Sequence, residues 1–190
     1  MKTTLLIILL ASIYLLHARA DVTDVPVYPD FDVHKLAGIW YPIAVVLKNR
    51  EPVNTIPIDN VVEPSDAGDL VLKMRYIKDG ACQVTDVNVV HTDQAGVFTV
   101  PATSETVRMV DVDYESYHIV HVVVKDSYSL YLLSRTREPS DDVKTKFKEL
   151  AETLGFDVNK IIYENLAGKS EFGGMFVECT TSIISIKVLQ

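Results

Sequence analysis

The sequence predicts an all-β fold, an eight-stranded antiparallel up-and-down barrel with one C-terminal α-helix packed on the outside. Three observations lead there. From residue 39 to residue 136, short stretches rich in Val, Ile, Tyr and Thr alternate with breaks rich in Gly, Asp, Ser and Pro. A single stretch of helical periodicity follows them, late in the chain. The 190 residues suit one domain with a sizeable core and are few for two.

The chain opens with a basic Lys2, an apolar run over residues 5–16 and Ala18-Arg19-Ala20, the small-x-small pattern of a signal-peptidase site. This predicts a signal peptide over 1–20 and a mature domain over 21–190. The apolar run is shorter than the roughly 20 residues that span a bilayer, so no membrane insertion is expected. Lys2 and Arg19 would leave with the leader, putting 16 basic residues against 26 acidic ones, a net charge of −10. Nucleic acid and anionic membrane surfaces would repel such a chain, and a secreted, extracellular protein fits it.

Residues 21–34 read as a loop because of Pro26, Pro29 and scattered acids. Strands are then expected at 39–48, 56–62, 70–78, 82–91, 97–100, 106–112, 117–125 and 128–136. Turn chemistry separates several of them: Pro64-Ser65-Asp66-Ala67-Gly68, Lys78-Asp79-Gly80, Asp93-Gln94-Ala95-Gly96 and Lys125-Asp126-Ser127. Connections this short imply hairpin after hairpin, and eight strands can remove their exposed edges by closing on themselves. The interior is then just wide enough to be filled by side chains or to hold one small ligand.

The helix should start after Ser140 as N-cap, with Asp141 and Asp142 at the positive end of its dipole and Gly155 beyond its last turn. Val143, Phe147, Leu150, Ala151 and Leu154 fall on one face. Residues 120–124 and 130–133 are nearly continuous apolar runs, the pattern of strands covered on both faces. The helix is therefore expected to pack outside the seventh and eighth strands, followed by a short strand at 160–163. Cys82 and Cys179 are the only cysteines, and behind a signal peptide they read as one disulfide; two free thiols are the competing reading. A link closing a loop of 97 residues would stabilise by about 4 to 5 kcal/mol.

Three local patterns carry a family resemblance. Gly38-Ile39-Trp40-Tyr41 opens the first strand with the chain's only Trp, Val112-Asp113-Tyr114 lies at the turn between strands six and seven, and Arg135 ends strand eight. In this order, on these elements, they resemble the three motifs of the lipocalin family, with Val112 where Thr is usual. The resemblance covers essentially the mature chain, and around residues 70–73 and 137–139 it is similar to rodent urinary and odorant-binding lipocalins. It implies that Gly38, Trp40, Asp113, Tyr114 and Arg135 form a structural plug at the closed end, with the Arg135 guanidinium over the Trp40 ring. Such a stack is worth about 0.5 to 2 kcal/mol.

The same resemblance implies a cavity wall of Ile56, Ile58, Leu72, Met74, Val87, Val100, Val107, Val120, Val122, Tyr131 and Leu133, with Tyr131, Asn60 or His118 orienting the ligand. A lining this apolar suits a small hydrophobic ligand of the odorant or pheromone, fatty acid, steroid or retinoid class. The competing reading is a solid core of the same side chains. His118 and His121, three apart on a strand, should face opposite ways, so no shared metal site is expected of them. Asp111, Asp113 and Glu115 lack the Gly-containing loop of a calcium site. No cofactor is expected.

No nucleophile elbow, zinc-protease, phosphate-loop or Cys-x-x-Cys motif occurs, so the chain is not expected to be an enzyme. One lipocalin branch, prostaglandin D synthase, uses a free cavity thiol as nucleophile, and the expected disulfide would remove that group. The leading expectation is an extracellular carrier of a small hydrophobic ligand, as a monomer or weak dimer. Two alternatives remain: a partner-binding protein, meeting a cell-surface receptor or a protease through loops such as 48–55, and a cavity isomerase acting through Tyr131 or His118.

Overall fold

The computed structural model describes residues 25–51, 57–78 and 81–164, with backbone alone at 77 and 78, and the backbone of 171–172, 175–177 and 186–188. Eight strands run in sequence order: β1 (Gly38–Lys48), β2 (Asp59–Pro64), β3 (Leu70–Lys78), β4 (Ala81–His91), β5 (Val97–Val100), β6 (Glu105–Asp113), β7 (Tyr117–Val124) and β8 (Ser127–Ser134). Each pairs antiparallel with the next, and β1 pairs with both β2 and β8, which closes the ring.

A single strand can serve both neighbours because it bends. Gly38, Ile39 and Trp40 pair with β2, the remainder of β1 pairs with β8, and the register shifts between Pro42 and Ala44. Pro42 has no N–H to give the ladder, so a bulge is placed where its loss costs least. A second shift, between Met109 and Asp111, re-aims β6 against β7.

The expected second strand, 56–62, begins later and ends later, at Asp59–Pro64. Pro57 explains the late start, since it too lacks a donor; the first bond of the pairing is the Ile58 N–H to the Arg75 carbonyl, at 2.7 Å. Of the loop expected at 21–34, the described residues from 25 on are irregular as expected, apart from a 3-10 turn at Val33–Leu36. This stretch is not loose. Tyr28 N–H donates to the Met109 carbonyl at 2.7 Å, and Leu36 is fully buried at the closed end.

Helix α1 (Asp141–Thr153) follows. Ser140 occupies the N-cap position, but its side chain makes no capping bond, which corrects that part of the expectation. Phe147, Ala151 and Leu154 are buried against Ile119 of β7, Leu130 and Leu132 of β8, and Ile43, Ala44 and Val46 of β1. The helix thus covers β7 and β8 as expected, and the upper half of β1 as well. The expected strand at 160–163 shortens to β9 (Ile162–Tyr163), because a 3-10 turn takes Val158–Lys160; β9 pairs with Ala44 and Val45. Three further short strands, β10 (Glu171–Phe172), β11 (Met175–Val177) and β12 (Ile186–Val188), form a small antiparallel sheet. Among the described residues no helix is long and apolar enough to cross a membrane. The expected signal peptide lies outside the described residues.

Candidate functional site

Alternation along the strands sends one set of side chains outward, beneath α1, and the other set into the barrel. The inward set forms its own apolar cluster around Trp40. Of the residues expected to line the interior, Leu72, Val87, Val100, Val107, Val120, Val122, Tyr131 and Leu133 all belong to that cluster. Met74 and Asn60 face each other across β2 and β3, on the side that register gives to Leu72 and Val62. Ile58 is half-buried just ahead of β2 and belongs to neither apolar cluster. Ile56 lies outside the described residues.

On five strands the burial of the inward apolar side chains falls toward the open end, although Ser129 of β8 and Val100 of β5, also on that side, are buried. Leu70, Val89, Met109, Val120 and Leu133, nearer the closed end, are buried. Two residues further toward the open end on the same five strands stand Leu72, Val87, Val107, Val122 and Tyr131, all only half-buried. Side chains that point to the middle of a barrel and still meet solvent line a space that their neighbours do not fill. On these five strands the inner wall is left partly uncovered toward the open end of the barrel.

Its floor is built from the motif residues. Trp40 is fully buried, and the Arg135 guanidinium lies 3.6 Å from the centre of its ring. Every guanidinium nitrogen of Arg135 donates to a carbonyl: Nε to Tyr114 at 3.1 Å, Nη1 to Ile39 at 3.1 Å and Nη2 to Lys35 at 3.3 Å. Gly38 has a φ of +104°, and a Cβ there would stand 3.1 Å from Arg135 Nη1, so both backbone and space favour glycine. Asp113 holds the β6–β7 turn by accepting from Glu115 N–H at 3.1 Å and from Ser116 Oγ at 2.7 Å. The Tyr114 hydroxyl accepts from Asp32 N–H at 2.7 Å and pins the leader. These contacts gather four of the five motif residues around the Arg135 guanidinium and the β6–β7 turn, with Trp40 beneath the guanidinium.

The acids near that turn are also engaged. Asp111 pairs with Lys146 of α1 at 2.8 Å and accepts from the Tyr117 hydroxyl at 3.0 Å, tying the helix to the barrel. The hydrogen bonds that the Lys146 ammonium donates to Asp111 first and to the Tyr117 hydroxyl second keep it charged, with its pKa well above the ordinary lysine value.

His118 and His121 face opposite ways, as expected. His118 points inward; its ring stands edge-on to Trp40 with centroids 4.3 Å apart. Burial, and to a lesser degree the Arg135 charge, push its pKa down to about 3, so it is neutral at ordinary pH. His121 points outward into the helix-covered cluster, stacked on Tyr128 and edge-on to Phe156. His118 Nδ1 and Asn60 Oδ1 are buried polar atoms with no hydrogen-bond partner.

Sequence reasoning missed several inward residues. Ser129 is fully buried and its Oγ is likewise without a partner; it lies two residues from Tyr131, so alternation alone could have found it. Val62, Leu70, Val89 and Met109 were legible in the same way. Val45 and Leu47 oppose Tyr131 and Ser129 across the β1–β8 ladder, but the bulge at Pro42 shifts their parity and hid them. Cys82 in β4 is disulfide-bonded; Cys179, its expected partner, lies outside the described residues.

Comparison with known proteins follows the same outline. The model of the lipocalin / cytosolic fatty-acid binding protein family matches residues 37–166. Epididymal secretory protein 4 of Zootoca vivipara is 37% identical over 146 residues, which cover 75% of this chain and 83% of that protein. Major urinary protein 20 of Mus musculus is 29% identical over 149 residues, covering 72% and 77% respectively. Prostaglandin-H2 D-isomerase of Felis catus is 26% identical over 170 residues, covering 83% and 88%. The matched span runs from just before Gly38 to just beyond β9 and so takes in the plug, the ring of eight strands and the helix: the chain belongs to the lipocalin family.

Proposed function

We propose that this protein is a secreted carrier that takes up one small hydrophobic molecule inside the barrel and performs no chemistry on it. Family membership supports binding of a small hydrophobic ligand. The observation that carries the reading is the inner wall, whose apolar side chains pass from buried to half-buried toward the open end on five strands at once. Removing that surface from water on ligand entry drives uptake at about 25 cal/mol per Å².

Leu72, Met74, Val87, Val100, Val107, Val120, Val122, Tyr131 and Leu133 make the wall in this proposal, and Ile56 and Ile58 extend it toward the mouth. Asn60, His118 and Tyr131 orient the ligand. The name of Epididymal secretory protein 4 supports secretion, as does the leader pattern ending at Ala20. A Cys82–Cys179 link belongs to the same picture. Relatives named as isomerases raise the enzymatic alternative. Against it, Cys82 is disulfide-bonded and presents no thiolate to a ligand.

Titration with N-phenyl-1-naphthylamine tests the carrier. Fluorescence should saturate near one probe per chain and reverse when volatile alcohols or fatty acids are added. A protein that takes up no probe, and that carries no small molecule by native mass spectrometry after isolation from its natural secretion, is not a carrier.

A further inference from the structure

The buried polar atoms inside the barrel stand at two levels. Trp40 opposes Asn60 across β1 and β2, and the His118 ring stands edge-on to the Trp40 ring with centroids 4.3 Å apart, so Asn60 and His118 are both neighbours of Trp40 at the floor. His118 is opposite Leu133 on β8, and Ser129 lies four residues nearer the mouth on that strand. Four residues of strand span about 14 Å, or roughly 10 Å along the axis of a barrel whose strands tilt by about 40°. Asn60 Oδ1, His118 Nδ1 and Ser129 Oγ each lack a partner within the protein. An unpaired polar atom in such a place is destabilising, whereas an apolar residue of similar shape would be nearly neutral. Three of them on a wall that is mostly apolar point to a ligand that parts the wall and bonds them.

The chemistry of that ligand follows from what the floor offers. Asn60 brings an amide and His118 an uncharged ring, and either can share a hydrogen bond with a hydroxyl, which both donates and accepts. A carboxylate has no donor for them and needs a counter-charge when buried. The cation nearest the floor, Arg135, is stacked on Trp40 and spends its nitrogens on three carbonyls. Arg50 is ion-paired with Glu105 at 3.4 Å, at the opposite, open end.

Building on the carrier reading, we propose that the interior selects an elongated, uncharged diol, its inner hydroxyl held by Asn60 and His118 beside Trp40 and its outer hydroxyl by Ser129. The floor reads the first hydroxyl, Ser129 the second, and the wall between them the hydrocarbon. Acids bind poorly with the charged end inward.

The test uses the full-length secreted protein, N-phenyl-1-naphthylamine as reporter, and three competitor series of matched length: α,ω-alkanediols from six to twelve carbons, 1-alkanols and alkanoates. One diol length should displace the probe best. In Ser129→Ala, the affinity of that diol should fall about three- to tenfold, one hydrogen bond's worth, with the alkanol unchanged. Asn60→Leu should weaken diol and alkanol by similar factors, and the alkanoate should trail the alkanol by at least about tenfold in the wild type. Thermal melts establish that each variant folds; should Asn60→Leu fail to, Asn60→Ser replaces it. Probe uptake with a diol-to-alkanol ratio that Ser129→Ala does not move, or alkanoates binding as well as alkanols, overturns the diol assignment and leaves the carrier standing. Absence of probe uptake by the wild type overturns both.

Discussion

The two faces of β7 and β8 are made from neighbouring residues of the same strands, yet they are finished differently. Outward, Ile119, Leu130 and Leu132 are wholly buried under Phe147, Ala151 and Leu154, and the cluster has the closed packing of a protein core. Inward, Val122 and Tyr131 keep part of their surface exposed, and Ser129 and His118 keep polar atoms without partners. One sheet therefore divides its labour by face. The outside, sealed by a helix, supplies cohesion, and the inside keeps surface and hydrogen-bonding capacity that the fold itself does not use.

The largest effect should come from opening the sealed face. Phe147→Ala removes a fully buried aromatic from the centre of the outer cluster and should cost about 3 to 5 kcal/mol in urea unfolding, while the folded fraction binds probe within about twofold of wild type. Loss of probe binding in step with stability would mean that the two faces are not independent. Next comes the plug. Arg135→Lys keeps the charge but loses the planar stack on Trp40 and at least two of three carbonyl bonds, a cost of roughly 2 to 3 kcal/mol. Tryptophan emission should shift with it, since Trp40 is the only tryptophan.

The histidines carry the comparison into pH. Each is buried neutral, His118 on the inner face with a pKa near 3 and His121 on the outer face with one near 4, against an ordinary 6.5. Desolvation is the main cause for both, with Arg135 adding to it at His118 and Arg108 at His121. Below pH 6.5 the unfolded chain binds protons that the folded chain refuses, so unfolding becomes easier as the pH falls. Above pH 6.5 both states are neutral and these residues give no slope. Stability measured by urea titration should therefore drop between pH 6.5 and 4, and His121→Leu should flatten part of that drop without altering probe affinity at pH 7. An equal slope in the variant would show that other groups govern acid sensitivity.

Much of this division was legible in the sequence, for a physical reason. Alternation is strict within a straight strand, so once the family resemblance put Val120, Val122, Tyr131 and Leu133 inside, spacing gave His121 the opposite face. Gly38, Trp40, Asp113, Tyr114 and Arg135 were legible through the family resemblance, because each makes contacts that few other residues could make. Where strands bend, parity slips. The bulge at Pro42 concealed Val45 and Leu47, and Pro57 delayed β2 so that Ile58 precedes the strand it was expected to lie in. Ser129 was overlooked for a different reason: alternation from Tyr131 puts it inside, but a small polar residue carries no apolar signal to draw notice.

The smallest change in stability is expected from the inner face, and there the size of the change is itself the answer. Val122 stands two residues nearer the mouth than the buried Val120 and is half-buried. Val122→Phe adds an aromatic ring to that position. In a close-packed interior the extra volume would force neighbours from their rotamers and cost about 1 to 3 kcal/mol. Facing unfilled space, the ring has room, and the cost should stay below about 0.5 kcal/mol, the usual range for substitutions that disturb no packing. The same ring would occupy volume that a ligand needs, so probe affinity should fall several-fold as stability holds. Urea unfolding and probe titration on this one variant separate a cup from a core, because a filled interior predicts the opposite pair of outcomes: a destabilised protein that never bound probe.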